Sequence, residues 1–328
     1  MEARGTRRFV VEGIIPERSY GVESAELKGQ KSWDASDLGL SVASGTPWLD
    51  HFPIGVSGPV LIIFNEGDDD ELIRRLAALG RSRGVDWRDV PIHISVTPPQ
   101  LLNRRSMDEV KSEIDRVRPV LVILDPLYVS AAGGDGRSLY GMGEALTNLQ
   151  QAATVAETTL YVTHHHNRDR AHSGIARMSG AGPAEWGRFL VAADVKRRER
   201  TTLGTDVLRQ FTIVGSGIPD QSYMVRREIM ADRSVMAVRT TVTNTTADWS
   251  DGRSPAQRRV LAALEGPERA LGWREVGDRL AKDGAGSPLK KRTILEALEE
   301  LTDANLVDGD VSPGVPGRWW RVQPKAGV

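Results

Sequence analysis

Lys31-Ser32 is the pair best suited to phosphate chemistry. It opens a stretch that reads as a helix, Lys31–Ala43, after a Lys28-Gly29-Gln30 turn and a weak strand, Gly21–Ser24. Backbone N–H groups at a helix start cradle an anion, a lysine there reaches the β and γ phosphates, and a hydroxyl binds Mg²⁺. This is the context of a P-loop. The spacing G-x-x-x-x-G-K-[ST] is not met. Ala25 and Gln30 stand at the two glycine positions, and Gly29 is displaced by one. Alone, such a pair is more often a solvated turn.

Further candidates follow apolar runs. Glu66 lies just past Pro59–Phe64 and could orient or deprotonate an attacking water. The competing reading is the acidic first turn of the next helix, which Asp68, Asp69, Asp70 and Glu71 fit better. Asp125 ends the apolar run Leu121–Leu124, as a Walker B carboxylate near Mg²⁺ must, although a turn aspartate before Pro126 also fits. His164-His165-His166 follows Leu160–Thr163. Successive side chains of an extended segment alternate, and no Cys or Glu-x-x-His partner supports a metal, so a polar sensor at the phosphate end is preferred. Two loops carry bases: 130–138 with Arg137, and 167–178 with Arg168, Arg170, His172 and Arg177. They are either surface loops or nucleic-acid contacts through guanidinium–phosphate pairs.

The elements that must position these residues alternate. Strands are expected at Phe9–Ile15, Gly21–Ser24, Pro59–Phe64, Ile92–Val96, Val120–Leu124 and Thr159–Thr163. Helices are expected at Lys31–Ala43, Asp70–Leu79, Asp108–Val117 and Gly141–Ala156. Apolar strands separated by helices predict an α/β fold with a parallel sheet covered on both faces and ligands at the strands' carboxyl ends. Beyond about residue 207, Val207–Val214, Ser222–Ile229 and Val235–Thr241 read as β-hairpins. The expected organisation is a domain over 1–242, a linker over 243–253 and a second domain over 254–328. There, helices at Ser254–Leu264, Trp273–Ala281 and Ser287–Ala304 precede strands at Leu306–Val307 and Arg318–Val322. Three helices and a hairpin is the winged-helix order.

Composition narrows the classes. The 328 residues carry 43 Lys plus Arg and 44 Asp plus Glu, so any nucleic-acid site must be a local patch. With no cysteine there is no disulfide, Cys-based zinc site or thiol nucleophile. No run reaches the roughly 18 apolar residues of a membrane span, and Met1–Arg8 is polar with no apolar signal core behind it. A cytoplasmic protein without membrane partners is expected.

Taken in order, Lys31-Ser32-Trp33, Asp37 to Pro47, Gly58 to Leu61 with Glu66, Arg74-Arg75-Leu76, Leu124-Asp125-Pro126, Val162 to His165 and Ser179-Gly180-Ala181-Gly182 resemble the RecA-like ATPases of the RepA-type replicative-helicase group. The resemblance covers about residues 9–200. It implies a RecA-like three-layer P-loop NTPase domain, with ATP and Mg²⁺ as ligands. Gly29, Gln30, Lys31 and Ser32 would hold phosphate, with Ser32 and Asp125 on Mg²⁺. Glu66 would be the catalytic carboxylate, and His164 and His165 would sit near the γ-phosphate or relay its state. An arginine finger would reach a neighbouring subunit's ATP; Arg188 is preferred, ahead of Arg197 and Arg198. The implied assembly is a homo-oligomeric ring, such as a hexamer, acting on single-stranded DNA in replication. Lys290, Lys291 and Arg292 open the third helix of the second domain, where a recognition helix meets DNA. Near-balanced charge over 253–322 leaves a protein-contact role open. The glycine substitutions keep a second function open, a non-motor DNA-binding assembly factor with a degenerate nucleotide switch. A recombination or repair accessory is a third.

Overall fold

The computed structural model describes residues 7–65, 69–131, 139–167, 173–178, 182–201, 204–232, 235–244, 260–261, 263–264, 270–282, 290–303, 307–310 and 317–321. The chain divides into two units, Met1–Thr245 and Thr246–Val328.

The first unit begins with strands β1 (Phe9–Val11) and β2 (Ile15–Pro16), an antiparallel pair. A single strand over Phe9–Ile15 is thus replaced by a hairpin, because Gly13 takes a left-handed φ of 69° and reverses the chain. Then follow β3 (Tyr20–Ala25), α1 (Lys31–Ser44), β4 (Val60–Phe64), α2 (Asp69–Arg83), β5 (Ile92–Ser95), α3 (Arg104–Val117) and β6 (Leu121–Asp125). Short α4 (Leu127–Ser130), α5 (Leu139–Val155), β7 (Thr159–His165) and short α6 (Pro183–Trp186) lead to β8 (Phe189–Thr201), β9 (Gly204–Gly215), β10 (Ile218–Asp232) and β11 (Val235–Asn244). One sheet holds nine strands in the order β11-β10-β9-β8-β3-β7-β6-β4-β5.

From β8 to β5 the neighbours are parallel, and β8 through β11 pair antiparallel. The sheet is therefore mixed, where a parallel one was expected. Strand β8 makes the change, and it is absent from the sequence reading. Its first half, Phe189–Ala193, is buried, while Lys196–Arg200 is exposed and charged, so it shows neither a continuous apolar run nor a clean alternation.

Alternation along the central strands builds two cores. Val60, Ile62, Phe64, Leu121 and Ile123 pack with α1 and α2. Leu61, Ile63, Val122 and Leu124 face α3 and α5 through Met107, Ile114, Leu146 and Leu149. Strands clad on both faces have no polar side, which is why VLIIF and the LVIL before Asp125 read as uninterrupted apolar runs. Helix α1 ends at Gly45, left-handed at φ 77°, whose N–H donates to Ser41 O at 2.8 Å. No helix among the described residues is long and apolar enough to cross a membrane.

In the second unit, helices Trp273–Lys282 and Lys291–Asp303 pack on a three-stranded sheet. Its middle strand, Arg318–Arg321, pairs with Leu271–Gly272 on one side and Val307–Asp310 on the other. The two-residue Leu271–Gly272 strand is too short to leave a periodic signal. Trp319 is buried with Val276, Leu280, Ile294 and Leu298. It crosses Gly309, where an added Cβ would meet its ring at 2.6 Å. Of the expected Ser254–Leu264 helix, Val260, Leu261, Ala263 and Leu264 lie within the described residues, all in this core.

Candidate functional site

The carboxyl ends of β3, β6 and β7 lie side by side, because β7 pairs with both of the others. Alternation sends Tyr161, Thr163 and His165 of β7 to one face of the sheet. Each finds a polar partner there. The Tyr161 hydroxyl donates to Glu23 Oε2 at 2.8 Å, Thr163 Oγ1 donates to Asp125 Oδ1, and His165 Nδ1 lies 3.4 Å from Lys31 Nζ. Ser32 lies close enough to Asp125 to help lower its carboxyl pKa. Lys31, Ser32, Asp125 and His165 are thus brought together. By the same alternation His164 turns to the opposite face, so the two histidines do not share the Lys31 side. Burial raises the Asp125 carboxyl above its ordinary pKa, against the hydrogen bond from Thr163, the nearby Ser32 and the charge of Lys31.

The loop from β3 to α1 is a tight turn. Gly29 N donates to Glu26 O at 2.8 Å, and Lys28 and Gln30 are both left-handed, at φ 59° and 70°. An added Cβ on Gly29 would lie 2.8 Å from Glu26 O, so the displaced glycine has a steric reason. Gln30 is the residue before the helix and keeps a buried Oε1 that lacks a hydrogen-bond partner.

A cleft of 440 Å³ opens over this loop. Lys28, Lys31, Arg75, Arg198 and Arg200 line it, against Glu71, which is ion-paired with Arg75. Val207, the cross-strand partner of Arg198, and Ile229 add apolar surface to the lining. A lining that mixes cations with apolar surface suits a phosphorylated molecule with an aromatic base. Arg75 lies over the Trp33 and Phe64 rings, and its Nη1 is buried without a hydrogen-bond partner, a donor available to an anion. No cluster of three His, Asp or Glu side chains that could hold a metal occurs among the described residues. Mg²⁺ needs none, since it takes one or two carboxylates and completes its shell with water and phosphate. The Ser32 hydroxyl beside the Asp125 carboxylate fits that donor set.

Sequence reasoning gave no role to Arg75 or Arg200. Arg75 stands in an ordinary amphipathic helix, and Arg200 in the charged half of β8; only the sheet order brings them to the loop.

Behind the cleft lies a buried ion network. Asp34, one turn into α1, binds Arg209 of β9 through both oxygens and Arg227 of β10 at 2.5 Å. Arg227 reaches Asp37 at 3.0 Å, and Arg83 of α2 reaches the same carboxylate at 2.6 Å. Asp34 therefore points away from the cleft. Burial alone would raise its carboxyl, but the Arg209 and Arg227 charges outweigh it and hold the pKa below the ordinary value. Glu23 behaves oppositely. Burial first, then the Asp34 charge, keep it well above the ordinary glutamate value, and no donor reaches its Oε1. A raised folded-state pKa contributes stability below the unfolded value near 4.5 and loses it as pH rises through the folded value. Glu23→Gln is therefore expected to unfold at a higher temperature than the parent at pH 7–8, with the gap closing below about pH 4.5. Thermal melts across that range check this; a gap that grows in acid would refute it.

Other expected site residues fall elsewhere. Glu66, Arg137, Arg168 and Arg170 lie outside the described residues. Arg177 is turned inward: its Nη1 donates to Glu26 Oε1 at 2.6 Å and Asp194 Oδ1 at 3.3 Å. It was expected to contact DNA, and burial between two carboxylates removes it from the surface. Beside it, burial lowers the pKa of His166 to about 4 despite Asp194 at 3.6 Å. Arg188 is exposed at the amino edge of the sheet, with Nε 3.3 Å from the Tyr20 hydroxyl, so it is not brought to this chain's own cleft. Arg198 is brought there, donating to Lys28 O. Lys290, Lys291 and Arg292 are exposed. Lys291 lies over the Trp273 ring at 4.9 Å, and Arg292 donates to Glu296 at 2.7 Å.

A family model described as an AAA domain matches residues 3–171, just over half of the chain. No curated protein matches. A solved structure of a KaiC-like protein from the hyperthermophilic archaeon Pyrococcus horikoshii OT3 is similar at 14% identity, covering 71% of this chain and 98% of that one, with a TM-score of 0.45.

Proposed function

This chain belongs to the AAA domain family, and we propose that it is a P-loop ATPase that binds Mg·ATP in the cleft over the β3–α1 loop. The observation that carries the reading is the convergence of Lys31 with the Ser32–Asp125–Thr163 group at one strand edge. Lys31 holds the terminal phosphates, and Ser32 and Asp125 hold the metal. Mg²⁺, when bound, neutralises phosphate charge. Thr163 fixes the Asp125 carboxylate. His165, beside Lys31, senses the γ-phosphate, and Glu66, following Asn65 at the end of β4, orients the water. Arg75, Arg198 and Arg200 add positive charge at the same cleft.

The finer reading is a DNA-coupled motor of the RepA helicase type, with a RecA-like core working in a ring. Arg188 reaches the neighbouring subunit's nucleotide, and loops 130–138 and 167–178 meet single-stranded DNA. The second unit is a winged helix. Its helix-and-sheet order and the exposed Lys290, Lys291 and Arg292 support that role. One observation favours a second reading. The left-handed Gln30 puts a side chain where phosphate-binding backbone works best bare, as a site that binds without turning over would tolerate. Steady-state ATPase with Mg²⁺, with and without single-stranded DNA, separates the two. DNA-stimulated turnover lost in Lys31→Ala is expected. Nucleotide binding without turnover would replace the motor with a nucleotide-switched assembly factor.

A further inference from the structure

We propose that Arg198 and Arg209, two arginines of the β8–β9 hairpin, are positioning residues that hold the phosphate-binding loop in the shape its sequence strains. The proposal rests on the nucleotide reading above and deepens it.

The strain is local. Lys28 and Gln30 both occupy the left-handed region, which a Cβ disfavours and glycine does not. The glycine of this loop is at 29, where the turn onto Glu26 O requires it. Gln30 is therefore left-handed without help from its own residue type.

The help comes from outside the loop, at two successive carbonyls. Arg198 Nη2 donates to Lys28 O, and Arg209 Nη1 donates to Gly29 O at 3.2 Å. A trans peptide points its C=O and N–H in opposite directions. Fixing Gly29 O toward Arg209 therefore fixes the direction of the Gln30 N–H, an amide at the helix start where anions bind. Arg209 can act as a rigid brace. It is fully buried, grips both oxygens of Asp34 one turn into α1, and lies over the Phe211 ring at 5.0 Å. One guanidinium thus ties the loop's last carbonyl to the helix that follows it. A lysine would keep the charge and lose the fork.

A purely structural account makes Arg209 only a member of the buried network. The two accounts differ in one respect: only bracing makes Arg209 depend on the residue at 30. The test is a cycle in the full chain of parent, Gln30→Gly, Arg209→Lys and the double variant. Two quantities are read, the Kd of a fluorescent ADP analogue with Mg²⁺ and the nucleotide-free thermal midpoint. Arg209→Lys is expected to weaken binding about tenfold, the scale of one charge-assisted hydrogen bond. Gln30→Gly in that background is expected to restore Kd to within about threefold of the parent, while the midpoint stays at the Arg209→Lys value. A double variant as weak as Arg209→Lys, or an Arg209→Lys that binds like the parent, overturns the proposal. Should Arg209→Lys not fold, Arg198→Ala, whose side chain is exposed, enters the same cycle. Rescue by Gln30→Gly supports bracing, and absence of rescue overturns it. Lys31→Ala separates the two levels. If the parent binds no better than Lys31→Ala, the nucleotide reading falls and takes the proposal with it. If the parent binds and Lys31→Ala does not, an uncoupled cycle removes the proposal alone.

Discussion

Asp34→Asn is expected to destabilise the chain by about 3–5 kcal/mol at neutral pH, the usual loss when a buried ion pair is broken from one side. Against a total of about 5–15 kcal/mol for a folded protein, that is a large fraction. Arg209 and Arg227 are both fully buried and both bind Asp34. Without it, Arg227 keeps Asp37, and Arg209 keeps a backbone carbonyl and an aromatic face. The pH dependence has a definite sign. A depressed folded-state pKa contributes stability above the unfolded value near 3.8 and loses it as pH falls through the folded value. Parent and variant should therefore converge in strong acid. Glu23 adds a second signature. The Asp34 charge helps hold the Glu23 proton, so Asp34→Asn lets Glu23 ionise and partly replace the lost anion. The Asp34→Asn/Glu23→Gln double variant should then be less stable than the two singles predict, by about 1 kcal/mol or more in a urea-melt cycle at pH 7–8. An additive cycle would mean that the two carboxyls do not share the charge.

That network also marks where sequence reading ends. Lys31, Ser32 and Asp125 were legible because each sits at a local boundary, a strand end or a helix start, with a side chain whose chemistry needs such a place. His165 was legible with them, but its neighbour His164 was grouped with it, and only the period-two alternation of β7 separates the pair. Asp34 carries no local signal, because a helical position shows its face only once its partners are known. Those partners, Arg209 and Arg227, lie 175 and 193 residues away on strands that read as an appended hairpin. Their register on β9 and β10 turns them inward, and no local pattern announces a buried arginine. The same gap explains the missing β8. Without it the hairpins look separate from the parallel strands, and Arg198 and Arg200 have no reason to meet the phosphate loop. Arg177 erred the other way, since a basic residue in a polar loop reads as surface until Glu26 and Asp194 are seen to enclose it.

Asp125→Asn is expected to lower ATP turnover by roughly 10²–10³, the range seen when one preorganised electrostatic group is lost from an active site. The substitution keeps the shape, and an amide oxygen still accepts from Thr163 Oγ1. What disappears is the negative charge beside Ser32. Nucleotide affinity measured without Mg²⁺ should therefore stay within about threefold of the parent, while any gain in affinity on adding Mg²⁺ should vanish. Stability should move in the opposite direction to activity. Burial raises the Asp125 pKa, so its ionised form lowers stability as pH rises from the unfolded value near 3.8 through the folded one. An asparagine carries no such pH-dependent penalty. At pH 7 the nucleotide-free variant should melt above the parent by about 2–4 °C, the shift that ~1 kcal/mol brings in a unit of this size. A more stable but inactive variant is the signature of a charge kept for function against the preference of the fold. A variant that melts lower, or that turns over ATP at the parental rate, would place the working carboxylate elsewhere and return Asp125 to a structural part at the end of β6.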